Sequence, residues 1–110
     1  MKASETIVQQ MTEIIIREMD PRLILMFGSQ ARGEATEDSD LDLIIVQDRD
    51  TIQQKGRRQQ IGRLHRELSV FMIPIDLLLY SPEEFEVRKG WRNHVIADAV
   101  QEGRVLYERN

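Results

Sequence analysis

The chain has 110 residues, with 15 Lys and Arg against 19 Asp and Glu, for a net charge of −4. Its apolar residues (41%) and charged residues (31%) exclude a disordered segment, and the length suits one domain spanning residues 1–110. The absence of cysteine excludes disulfide scaffolds, thiolate zinc sites and cysteine nucleophiles. With 5% aromatics and an acidic balance, no strong nucleic-acid binding is expected.

Ile7, Met11, Ile14, Ile15 and Met19 recur at helical spacing behind Ser4, a plausible cap, and Pro21 follows. Residues 23–27 are a short apolar run bounded by Pro21 and Gly28 and read as a buried strand. Residues 28–33 form a turn with room for one turn of helix. Residues 40–46 read as a second strand, too close to the first for a parallel crossover. Thr51 is expected to cap a helix running to about Ser69, with Ile61, Leu64 and Leu68 as its apolar stripe. Residues 70–80 read as a third strand, which Pro74 assigns to an edge or a bulge. Ser81-Pro82-Glu83-Glu84 has the residues of a capping box with Pro at the first helical position. Gly90 should break that helix, a second amphipathic piece follows from Trp91 to Ala99, and residues 105–107 form a last strand. This order predicts an α+β domain, a small mixed or antiparallel sheet flanked by helices. No stretch is apolar enough to span a bilayer or to act as a signal peptide, so no membrane association and a cytoplasmic location are expected.

The chemistry concentrates in three places. Asp40 and Asp42, two apart on a strand, project from one face, and two like charges at the lip of an apolar strand call for a cation. Magnesium, which takes carboxylate and phosphate oxygens, fits that need, although a lone Asp-x-Asp is more often a solvated strand end. Asp76 stands inside the apolar run 71–79, where a charge is costly unless it is paired or binds metal. If its strand lies beside the second, three carboxylates can converge on a pair of metal ions. Gly28-Ser29 after a strand offers backbone N–H groups to an anion, but Glu34 and Ala35 stand where a P-loop needs Lys and Ser/Thr. His65 reads as a half-buried helix residue, His94 has no metal-ligand spacing to it, Trp91 reads as a core anchor and the Met residues as core filler. Lys55, Arg57, Arg58, Arg88, Lys89 and Arg92 read as solvated bases available to dock a partner.

Gly28-Ser29, Ala31-Arg32-Gly33 and Ser39-Asp40-Leu41-Asp42-Leu43 together resemble the signature of the DNA polymerase β-like nucleotidyltransferase superfamily. The likeness is closest to its minimal nucleotidyltransferases, of the MntA type, many of them antitoxins paired with HEPN-domain toxins. Asp76 matches the third carboxylate of that family, and the resemblance extends to Gly103-Arg104-Val105-Leu106-Tyr107. The resemblance implies a polymerase β-like fold and a reaction at the α-phosphate of ATP with release of pyrophosphate. It further implies two Mg²⁺ ions on Asp40, Asp42 and Asp76, and the β- and γ-phosphates on Gly28 and Ser29. Arg32 either touches phosphate or fixes the turn through a salt bridge. AMP would pass to a tyrosine of a HEPN-type toxin, with which the chain would form a hetero-oligomer. Two alternatives are neutralisation of that partner by occlusion alone, and nucleotidyl transfer to RNA or to a small molecule.

Overall fold

The computed structural model describes residues 4–33, 40–91 and 94–109, and for Ser29, Gln30 and Val95 the backbone alone. Ser4 accepts a hydrogen bond from the Ile7 N–H (3.2 Å) and so opens helix α1, Glu5–Met19. Asp20, left-handed at φ 46, ends it. Val8, Met11, Ile15 and Met19 lie along the buried stripe of α1.

Strand β1 (Leu23–Phe27) leads into a single turn of helix, α2 (Gly28–Arg32), and strand β2 (Leu41–Val46) returns antiparallel to β1 with Asp42 beside Phe27. Strand β3 (Ile75–Tyr80) lies parallel to β2, and strand β4 (Arg104–Glu108) lies antiparallel to β1 on its other side. Among the described residues the sheet order is β3-β2-β1-β4, a mixed sheet with β3 and β4 at its edges. The edge position expected from Pro74 is therefore met, but Pro74 stands just before the strand.

A parallel neighbour requires a crossover. Here it is made by helices α3 (Arg49–Lys55) and α4 (Arg57–Leu68), where the sequence suggested one helix capped by Thr51. Gly56 adopts φ 83 and divides them, and Thr51 falls inside α3. The apolar run before β3 also departs from expectation: residues Ser69–Phe71 form a 3-10 turn, and Met72 is left-handed at φ 56.

The sheet is covered on both faces. Leu41, Leu43 and Ile45 pack with α1 and with Leu64 and Leu68 of α4 in the larger core. Leu25, Ile44 and Val46 pack with Ile96, Ala99 and Phe85 in the smaller one. Each such buried aliphatic side chain contributes about 1.5–3 kcal/mol. The second layer is made by helices α5 (Pro82–Arg88) and α6 (Val95–Glu102). Gln47, buried at the end of β2, has both ends of its amide satisfied: Nε2 donates to the Met19 carbonyl and Oε1 accepts from the Asp48 N–H (2.8 Å).

The start of α5 carries the full capping box: Ser81 Oγ accepts from the Glu84 N–H (3.1 Å) and Glu84 Oε1 accepts from the Ser81 N–H (2.9 Å). Burial alone would raise the Glu84 carboxyl, but Arg57 and the Ser81 N–H bring it below its ordinary value. Ser81→Ala removes one arm of a buried cap, and we expect a loss of about 1 kcal/mol, read as a lower urea midpoint at unchanged m-value.

Several side chains stand elsewhere than expected. Trp91 precedes α6 and is exposed, edge-on to the His94 ring and beneath the Arg88 guanidinium. His65 is exposed, not half-buried. Met11, Met19 and Met26 are core, but Met72 is not. Among the described residues no helix is long and apolar enough to cross a membrane.

Candidate active site

The pairing of β2 with both neighbours sets the geometry of the site. The C-terminal end of β1, the N-terminal end of β2 and the N-terminal end of β3 meet at one edge of the sheet. There Asp42 sits directly beside Asp76 in the parallel register, and beside Phe27, the last residue before Gly28. Asp42 alternates with Leu41 and Leu43, so its carboxylate takes the face of the sheet shared with Ile44.

Gly28 has φ +76, and a Cβ there would overlap the carboxylate of Asp42. The glycine therefore serves two purposes: it takes a left-handed backbone, and it lets Asp42 lie flat against the start of α2. The sequence pointed to Gly28 for approach to phosphate; its contact with Asp42 had no signal in the sequence beyond the glycine itself.

The carboxylates act on one another. Burial first, then the Asp76 carboxylate, a hydrogen bond with Asp76 and the charge of Asp40 push the Asp42 carboxyl up to about 6. Asp76 is exposed at the edge strand, and Asp40 is exposed just ahead of β2. The structure thus brings Asp42 and Asp76 into contact and leaves Asp40 acting on them by charge. Among the described residues no three acidic, His or Cys side chains close on one point as a ready-made metal cage. The donor set nevertheless suits magnesium: hard carboxylate oxygens, crowded enough to resist ionising together, and open for phosphate oxygens to complete the shell.

Arg32, at the end of α2, reaches Glu102 of α6 (3.5 Å) and so ties the turn to the neighbouring helix. The backbone of Ser29 lies in α2. Glu34, Thr36, Asp38 and Ser39 of the signature, with Arg92 of the basic group, lie outside the described residues. The other bases named for docking are largely paired: Arg57 with Glu84 (2.6 Å), Arg88 with Glu84 (3.7 Å) and Lys89 with Glu86 (2.8 Å).

The raised Asp42 carboxyl has a consequence for stability. In the unfolded chain this group ionises near 3.8; in the folded chain it ionises near 6. Its contribution to stability therefore falls as pH rises from about 4 to 6, and the whole deficit is present above 6. Asp42→Asn should stabilise the metal-free protein at pH 7.5, by roughly 1 kcal/mol once solvent screening is discounted. The gain should vanish below pH 4 and shrink in Mg²⁺. Thermal melts across pH, with and without the ion, check this; a variant that melts below the wild type at pH 7.5 contradicts it.

Comparisons with known proteins identify the family. Residues 8–106 match the model of the nucleotidyltransferase domain. An inferred protein adenylyltransferase of Methanocaldococcus jannaschii is 36% identical over 84 residues, 76% of each chain. Among solved structures, an inferred minimal nucleotidyltransferase is 25% identical with a TM-score of 0.56, over 88% of this chain and 86% of that one. A toxin–antitoxin structure with AMP-PNP shares the fold at 20% identity and a TM-score of 0.59, over 93% and 74% of the two chains. The α+β architecture is that of the polymerase β-like nucleotidyltransferases. With the match extending over most of its length, this chain belongs to the nucleotidyltransferase domain family.

Proposed function

We propose that residues 1–110 act as one minimal nucleotidyltransferase domain, in the cytoplasm, that transfers AMP from ATP to a tyrosine of a HEPN-type toxin and thereby neutralises it. The observation that carries this reading is the contact of Gly28, Asp42 and Asp76 at one end of the sheet. It is supported by the names of the relatives, one a protein adenylyltransferase and one a toxin–antitoxin pair with AMP-PNP.

In this reading the backbone N–H groups of Gly28 and Ser29 hold the β- and γ-phosphates, with the Ser29 hydroxyl as a further donor. Asp40, Asp42 and Asp76 would hold two magnesium ions, and Arg32 steadies the phosphate turn through Glu102. Magnesium, when bound, supplies the positive charge that offsets the triphosphate and the attacking oxygen. The tyrosine oxygen attacks the α-phosphorus, the bond to the β-phosphate oxygen breaks, and pyrophosphate leaves. Asp76, exposed at the edge strand, accepts the phenolic proton.

The reading is tested with α-labelled ATP, Mg²⁺ and a purified HEPN-type toxin. It expects label on the toxin and a mass gain of one AMP on a tyrosine. An unlabelled toxin whose activity is still blocked would assign neutralisation to occlusion.

A further inference from the structure

Strand β3 is packed on both faces and open along its outer edge. Leu77 and Leu79 point into the larger core, and Leu78 and Tyr80 pack against the smaller one. The backbone groups of the strand alternate between its two sides. The carbonyls of Pro74 and Tyr80 accept the N–H groups of Leu41 and Gln47, each at 2.9 Å, and the register with β2 is unbroken between them. In a strand the N–H and C=O of one residue point the same way, and successive residues alternate. Asp76, Leu78 and Tyr80 therefore turn these groups to β2, and Ile75, Leu77 and Leu79 turn theirs outward. Among the described residues the outward groups meet no partner.

The two edges of the sheet differ. β4 carries an extra residue, Leu106, where its register with β1 shifts, and has Arg104 and Glu108 at its ends. Bulges and charges guard an edge against strand addition. β3 has neither bulge nor proline nor lysine, and its one charge is Asp76. Outward N–H and C=O groups at every second residue match an extended polypeptide; neither a nucleic acid nor a small molecule repeats donors and acceptors at that interval.

The register joins this edge to the candidate site. Asp42 lies directly beside Asp76, and Gly28 lies against the Asp42 carboxylate. A strand added at β3 lengthens that row by one residue, on the same face. Because the backbone of Asp76 is turned to β2, an antiparallel newcomer meets Asp76 in a non-hydrogen-bonded pair, with Cα atoms about 4.5 Å apart and side chains at their closest.

We infer that the free edge of β3 receives an extended segment of the acceptor protein as an antiparallel strand, with the acceptor residue opposite Asp76. The inference rests on the transferase reading above for the identity of the segment as acceptor. The residues before and after the acceptor exchange backbone hydrogen bonds with Leu77 and Ile75, and the acceptor hydroxyl stands on the face that carries Asp42 and Asp76.

The test uses the ¹⁵N-labelled full chain and the peptide acetyl-Val-Thr-Val-Tyr-Val-Thr-amide, unmodified, N-methylated at its tyrosine, or N-methylated at its three valines. With the tyrosine opposite Asp76, the valine N–H groups point to β3 and the tyrosine N–H points away. In the free chain the amides of Ile75, Leu77 and Leu79 should exchange with solvent at least tenfold faster than those of Asp76, Leu78 and Tyr80. The unmodified peptide should shift the three outward amides and slow their exchange. Tyrosine methylation should leave its affinity within about twofold, and valine methylation should lower it at least about tenfold. Outward amides that already exchange as slowly as the inward ones overturn the inference. So do outward amides that stay fixed in millimolar peptide, or equal weakening by the two methylations. Protection that grows with protein concentration alone, with a dimer in sedimentation, gives the edge to a second copy and also overturns it. With α-labelled ATP and Mg²⁺ the bound peptide should gain AMP on its tyrosine. A peptide that binds without label, while MgATP still raises the Tm, overturns its role as acceptor. No rise in Tm with MgATP beside an intact peptide response sinks the transferase reading and leaves the edge.

Discussion

Asp40→Asn combined with Asp42→Asn should lower AMP transfer to a HEPN-type toxin by at least about a thousandfold, a loss of roughly 4 kcal/mol of transition-state stabilisation. The double variant loses two of the three carboxylates at this end of the sheet and, with them, the charge crowding that raises Asp42. It should also lose most of the rise in Tm that MgATP gives the wild type, because a ligand stabilises only the state that binds it. Folding should survive, since relief of carboxylate repulsion favours the metal-free protein. Undiminished label transfer by a folded double variant would remove Asp40 and Asp42 from the reaction.

Gly28→Ala should be nearly as damaging by another route. Its Cβ would overlap the Asp42 carboxylate, and its backbone is left-handed, which costs a non-glycine residue about 1–2 kcal/mol. We expect a Tm lower by about 4–12 °C for a chain of this size and a rate of transfer down at least about a hundredfold. Pairing Gly28→Ala with Asp42→Ser makes room for the methyl, so the double variant should recover part of the stability and none of the activity. Strict additivity of the two stability changes would show that the residues do not touch.

Much of this arrangement was legible in the sequence where the signal is local. The Ser4 cap, the Ser81 capping box and the ends of β1 follow from residues that satisfy or interrupt their own neighbours' hydrogen bonds. The failures have a common physical cause. Gly56 falls within the single helix expected from Thr51 to Ser69, whereas it takes φ 83, a conformation that ends the helix. The run 70–73 has the composition of a strand, yet burial depends on what lies opposite: Ile73 and in part Phe71 meet the core, while Val70 and Met72 are exposed. Trp91 and His65 were misplaced for the same reason. For the site, the same-face placement of Asp40 and Asp42 rests on the strand period, and Asp76 stood out as a charge in an apolar run. That Asp76 would lie beside Asp42 depended on the parallel register of β3, set by a crossover whose path no spacing reveals.

The position of β3 at the edge of the sheet leaves Asp76 on a shelf open to one side, not at the bottom of a pocket. A shelf gives an acceptor few walls, so under the transferase reading target selection becomes a matter of residence time. A folded partner that stays for longer than the chemical step is modified, and a passing hydroxyl, however well aligned at the instant of collision, diffuses away unaltered.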